Sequence, residues 1–203
     1  MSILTWPEDI VPVDLNWWLE YNTTTFTSPL TKSVQTLQLP GARWKAEATV
    51  KNLTGTDLKQ FTAFLSSLRG QAGRFYFAPT ICRNTNVPTN VTVMGSDQTG
   101  SSLLTTGWNA NTTVLTTGDY FSVVTPIGVE LKQLTQDAVS TETGTAMLYF
   151  APVLRNSPSD GAEIIVDSPK CVMKLDDDSQ VKGAYSIGVF GAFSIAMTEV
   201  IYA

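Results

Sequence analysis

Asp176-Asp177-Asp178 is the densest group of chemistry-bearing side chains in the sequence. Carboxylate oxygens are the ligands of hard cations such as calcium, but a calcium loop sets them at alternate positions, turns on a central Gly and closes on a Glu. Three adjacent side chains cannot all face one ion, and the rest of that pattern is missing here, so the run reads as a solvated turn. Asp119, Glu130, Asp137 and Glu142 are the carboxylates from which a glycoside-cleaving acid and base would be drawn. All four fall in expected turns or on wet strand faces, where ordinary surface charge explains them. The chain contains no His, which removes the commonest general acid–base and metal ligand and with it any Ser-His-Asp or Cys-His arrangement. The glycines form neither GxGxxG nor a phosphate loop, and no GxSxG occurs. No catalytic, metal or cofactor-binding residue is assigned on these grounds, and the expectation is a protein that is not an enzyme.

Cys82 and Cys171 fit no CxxC or zinc spacing, so two buried free thiols are expected, with one long-range disulfide as the alternative. Tryptophans are the remaining candidates. Trp6, Trp17 and Trp18 precede the first clear strand pattern, and Trp108 lies in a polar stretch. Large aromatic side chains with a polar handle are favoured where one surface is covered by another, so these four are the expected interface residues.

The elements that would position such residues are mostly strands. Trp44, Ala46, Ala48 and Val50 alternate with polar residues, the mark of a half-buried strand. Pro40-Gly41 ahead of it is an expected turn, with Val34 to Leu39 as the partner strand. Leu58, Phe61, Phe64, Leu65 and Leu68 then recur at helical spacing. Thr56 or Asp57 is placed to cap this helix, Arg69 to complement its dipole in the last turn, and Gly70 to provide a left-handed exit, giving one helix over about 57–69. The aromatic run Phe75-Tyr76-Phe77 reads as a strand stopped near Pro79. Residues 80–117 are rich in Asn, Thr, Gly and Ser and are either a long loop or a small inserted β subelement. Tyr120 to Val124 and Val129 to Leu134 read as a meander, Ala146 to Phe150, Glu163 to Val166 and Cys171 to Leu175 as further strands, and Phe193 to Val200 as an amphipathic closing strand.

Composition bounds the rest. The 203 residues can form one large β domain spanning 1–203. Apolar residues make up 43% of the chain, enough to close a core, whereas charged residues are only 15%, which suits surfaces later covered by neighbours. A net charge of -5 without a basic run argues against sequence-specific nucleic-acid binding. The opening residues show no secretory signal and no segment reaches the length of a membrane span, so synthesis in a cytoplasm without a membrane anchor is expected.

The order of elements resembles that of the distal tail proteins of long-tailed phages and the related baseplate-hub and minor tail proteins. The likeness is carried by Trp44 to Leu68 running on through Arg69-Gly70-Gln71-Ala72-Gly73-Arg74-Phe75, by Gly118-Asp119-Tyr120-Phe121, by Ala151 to Arg155, by Pro169 to Asp176 and by Phe193 to Val200. It covers most of residues 34–203, and residues 80–117 map onto no family element. The resemblance implies a mainly β, tail-tube-like β-sandwich with one flanking helix. It also implies a structural virion protein at the distal end of the tail, made in the bacterial cytoplasm and assembled as a hexameric ring. Tail tube protein and tail-tip hub proteins would be its partners, and DNA would pass through the bore without specific binding. The alternative function is a carbohydrate-binding or adhesion module of the tail tip, for which an exposed Trp108 on a β platform is the expected anchor.

Overall fold

The computed structural model describes residues 2–85, 87–186 and 190–201. In chain order it contains β1 (Leu4–Thr5), β2 (Asp14–Thr27), β3 (Val34–Leu53), the helix α1 (Gly55–Leu68), β4 (Phe75–Phe77), β5 (Val91–Val93), β6 (Ser102–Thr106) and β7 (Thr113–Leu115). These are followed by β8 (Tyr120–Thr125), β9 (Gly128–Leu134), β10 (Ala138–Val139), β11 (Thr145–Ala151), β12 (Glu163–Ile165), β13 (Cys171–Leu175), β14 (Ala184–Ser186) and β15 (Phe190–Glu199). The protein is therefore mainly β with a single α-helix among the described residues. Where the sequence reading has one domain, the chain divides into two compact units, one formed by residues up to Val11 with Gly73–Met173, the other by Pro12–Ala72 with Lys174–Ile201.

The second of these units is a sheet with strand order β14-β15-β3-β2, all pairs antiparallel. Trp44, Ala46, Ala48 and Val50 are all buried, as their alternation requires. Phe193, Ile195 and Met197 of β15 pair with Val50, Ala48 and Ala46 and so share that face. The helix buries Leu58, Phe61, Phe64, Leu65 and Leu68, and the Phe61 ring meets Phe193 edge-on at 5.2 Å between centroids. Each such side chain contributes about 1.5–3 kcal/mol by leaving water, so the stripe holds α1 in the unit. Glu199, also buried, accepts a hydrogen bond from the Trp44 amide at 3.0 Å, which satisfies a carboxylate that would otherwise oppose folding.

The helix ends differ in detail from the sequence reading. Thr54 is the N-cap residue, with no side-chain cap bond, and Asp57 lies in the first turn. The left-handed exit is taken by Arg69 (φ 53) and continued by Gly70, so Arg69 is the C-cap and lies outside the last helical turn. Nor does Pro40-Gly41 reverse the chain. Strand β3 runs through it, and its partner from Val34 to Thr49 is β2, a strand absent from the sequence reading. Gly41 has φ +111, and the register between β2 and β3 shifts between Glu20 and Asn22. A residue able to take positive φ absorbs a bulge here and leaves the strand direction unchanged.

The other unit contains a closed barrel of strand order β11-β6-β5-β12-β8-β9. Closure leaves no unpaired edge among these short strands. Its core comprises Val91, Val93, Leu103, Trp108, Phe121, Val123, Leu134, Ala146, Leu148, Phe150 and Ile164, among others. Within residues 80–117, β5 and β6 are strands of this barrel, pairing with each other and with β12 and β11. The expected meander is the β8–β9 hairpin, in register from Tyr120↔Gln133 to Thr125↔Gly128. Beside the barrel, β7 pairs with β10, and β4 lies between β1, to which it is parallel, and β13, to which it is antiparallel.

Candidate functional site

The outer half of the β2–β3 hairpin is a long uncovered element. From Tyr21 to Gly41 every residue except Ser28 is exposed. Strand β15 pairs with β3 only as far as Lys45, so beyond that point the hairpin is a two-stranded arm. Cross-strand partners point to the same side of an antiparallel ribbon. Asn22↔Leu39, Thr24↔Leu37 and Phe26↔Gln35 therefore form one face, and Thr23↔Gln38, Thr25↔Thr36 and Thr27↔Val34 the other. The first face carries Phe26, 65% exposed, and Leu37, 62% exposed, while the second is mostly Thr and Gln.

Lys32 is the one charged residue in this stretch. The tip is held by the Ser28 amide donating to the Ser33 carbonyl and the Lys32 amide to the Ser28 carbonyl, both at 2.9 Å. Asn22 Nδ2 donates to the Pro40 carbonyl at the bulge. At the base of the arm, Lys45 and Arg43 both contact Glu20, at 2.8 and 2.9 Å. Their hydrogen bonds hold its carboxyl below the usual range.

The four tryptophans separate into two kinds. Trp6 and Trp108 are 7% and 5% exposed and belong to the interior, which corrects their expected place at an interface. Trp6 packs against Phe75 and Phe77 and donates Nε1 to the Ile10 carbonyl. Trp108 donates Nε1 to Thr105 Oγ1 at 2.7 Å, and that hydroxyl in turn donates to the Ala146 carbonyl. In both, the polar handle is satisfied inside its own unit, so neither ring is presented to a partner. Trp17 is half-buried and stacks on Trp44 with centroids 5.2 Å apart. Trp18, one position on, is 40% exposed on the opposite face.

No family model matches this sequence, and no curated protein matches it.

The carboxylates also divide. Asp119 Oδ2 accepts from the Thr116 amide and hydroxyl, and Asp137 Oδ1 from those of Thr117. The Thr117 amide bond is what holds the Asp137 carboxyl below its ordinary value. Glu142 is exposed. The acidic triplet is taken apart by its local bonds: Asp177 Oδ1 accepts from the Ser179 amide, and Asp178 Oδ1 from the Gln71 amide. Among the described residues no group of three or more acidic or Cys side chains gathers into a metal cage. Cys82 and Cys171 are separate buried thiols, and burial pushes the Cys82 thiol far up from its ordinary value.

Glu130 departs from the wet-face expectation. It pairs with Val123 and, two residues on, Lys132 pairs with Phe121, so both charged side chains share the face of two barrel-core residues. Glu130 is 4% exposed and Lys132 is fully buried. Lys132 Nζ donates to Glu130 Oε2 at 2.8 Å and to the Val153 carbonyl at 2.9 Å, and lies 5.8 Å from the centre of the Phe150 ring. The other donors to Glu130 come from the segment after β11: the Arg155 amide to Oε2, and both the amide and Nδ2 of Asn156 to Oε1. Burial works to raise the Glu130 pKa, but the Lys132 charge and hydrogen bond and the Arg155 amide outweigh it, and the carboxyl lies below its usual range. Each unit thus offers one notable feature, an uncovered arm in one and a buried Glu–Lys–Asn cluster in the other.

Proposed function

We propose that the chain is a structural subunit of a phage tail, an adaptor ring of six copies at the distal end that joins the tail tube to the tail-tip hub proteins. The observation that carries this reading is the arm of residues 21–41, uncovered, nearly uncharged and more apolar on one face than on the other. A closed ring is built from heterologous contacts, in which one patch meets a different patch on the next copy. An arm with one greasy and one hydroxyl-rich face suits that task, since burying Phe26 and Leu37 supplies the driving force while the strand edges supply directional hydrogen bonds. The low charge of the whole chain agrees with surfaces destined for cover. The net charge of -5 would keep a DNA-filled bore from becoming adhesive. The resemblance in element order supplies the phage setting, with virion localisation and synthesis in the host cytoplasm.

The test is the mass of the purified protein in solution together with negative-stain class averages, alone and with purified tail tubes. Sixfold rings, free or seated on tubes, are the expected outcome. A protein that stays monomeric at every concentration and ignores tubes would sink the reading. The adhesion alternative loses its anchor, because Trp108 is buried.

A further inference from the structure

We propose that Lys132 and Asn156 become joined by an intramolecular isopeptide bond, with Glu130 as the group that moves the proton. Nζ of Lys132 and Nδ2 of Asn156 hang on the two oxygens of the same Glu130 carboxylate, at 2.8 and 3.2 Å. An amine, a carboxamide and a carboxylate are the three groups this reaction needs, and they meet where water is scarce. Lys132 is fully buried, beneath Phe150 and beside the core residues Phe121 and Val123. A clamp on the segment after β11 is already complete without Asn156 Nδ2, since Lys132 holds the Val153 carbonyl and Glu130 holds the amides of Arg155 and Asn156. The carboxamide at position 156 is what the clamp leaves unexplained.

The chemistry balances without an oxidant or cofactor. Glu130 takes a proton from the Lys132 ammonium across their hydrogen bond, leaving a neutral amine and a neutral acid, the form that burial favours for both. The acid then donates to Oδ1 of Asn156, which a flip of the carboxamide presents to it, since the two orientations fill nearly the same space. The amine lone pair attacks Cγ, a C–N bond forms, and the carbonyl oxygen carries the developing charge against the acid proton. Collapse breaks the Cγ–Nδ2 bond, the amine proton passes through Glu130 to the leaving nitrogen, and ammonia departs. One amide replaces another. Asn156 is half-buried, which leaves its side chain room to turn toward Nζ and ammonia a way out to solvent. The resting ion pair makes the first proton transfer uphill and the reaction slow, which is no obstacle to an event needed once per molecule and helped by fixed proximity.

Intact-mass measurement of the denatured full-length protein tests this directly. The expected result is a chain lighter than its sequence by one ammonia, with a digest that yields a branched peptide joining Lys132 to Asn156. Asn156→Ala, Glu130→Gln and Lys132→Met are each expected to restore the full mass completely. Asn156 precedes Ser157, and cyclisation of Asn on its own backbone also expels ammonia. A loss at Asn156 that survives Lys132→Met would therefore assign the change to cyclisation and overturn the proposal. So would a folded, fully aged wild-type protein at full sequence mass, a result that needs no variant to fold.

Discussion

Glu130 and Lys132 occupy alternate positions of Gly128–Leu134, a strand in which Val129 and Leu131 supply the expected buried face. Period-two reading sends the charges to water, yet Leu131 and both charges are buried together. The strand has two covered faces, and alternation carries no information about which face is drier once both are dry. A lone pair of opposite charges two residues apart is too common on wet strands to signal anything else. The cost of breaking such a pair exceeds the cost of replacing it whole, because removal of one partner strands the other charge. Lys132→Met is accordingly expected to lower stability by about 3 kcal/mol, and the double variant Glu130→Gln, Lys132→Met to recover most of that. Neither variant can form the proposed bond, so their difference reports the cost of leaving Glu130 charged without its partner. Chemical denaturation of Lys132→Met and of the double variant is the measurement; a double variant no more stable than Lys132→Met would show that Glu130 does not depend on Lys132.

Elements differ in how plainly the sequence announces them. The strand at Trp44–Val50 and the helical stripe Leu58–Leu68 were legible because burial on one side imposes a period, and both are found where the pattern puts them. The barrel was not legible, because its strands β5 and β12 have three residues each and so short a run shows no period. Strand β2 was hidden for a different reason. Its outer half is uncovered on both faces, so Thr and Asn repeat there without the alternation that burial would select. The same exposure allows the arm to be tested without disturbing the fold. Phe26→Asp with Leu37→Asp changes two largely exposed side chains, 65% and 62%, and surface changes of this kind usually alter stability by within about 0.5 kcal/mol each. Thermal unfolding is expected to stay near wild type while sixfold rings disappear from negative-stain images. Rings that persist in the double variant would remove the arm from the contact.

At the scale of the whole molecule the absence of His reappears as a property of stability. No side chain present has an ordinary pKa near neutrality, and the thiol of Cys82 is moved further from it by burial. Like Glu130, the other carboxylates with displaced values move down: Glu20 by its hydrogen bonds to Lys45 and Arg43, Asp137 by the Thr117 amide and Asp177 by the Ser179 amide. A carboxyl held low in the folded state binds fewer protons there than in the unfolded chain. Its contribution is therefore fully present above the unfolded value, about 3.9 for Asp and 4.3 for Glu, and is lost as pH falls through the folded one. Stability should accordingly be flat from about pH 6 to 8 and decline steadily below about pH 5. Urea midpoints at closely spaced pH values are the measurement. A midpoint that moves strongly between pH 6 and 8 would require a side chain displaced into that range by its surroundings. A midpoint unchanged down to pH 3 would mean that the hydrogen bonds on Glu20, Asp137 and Asp177 do not favour the charged carboxylates in solution.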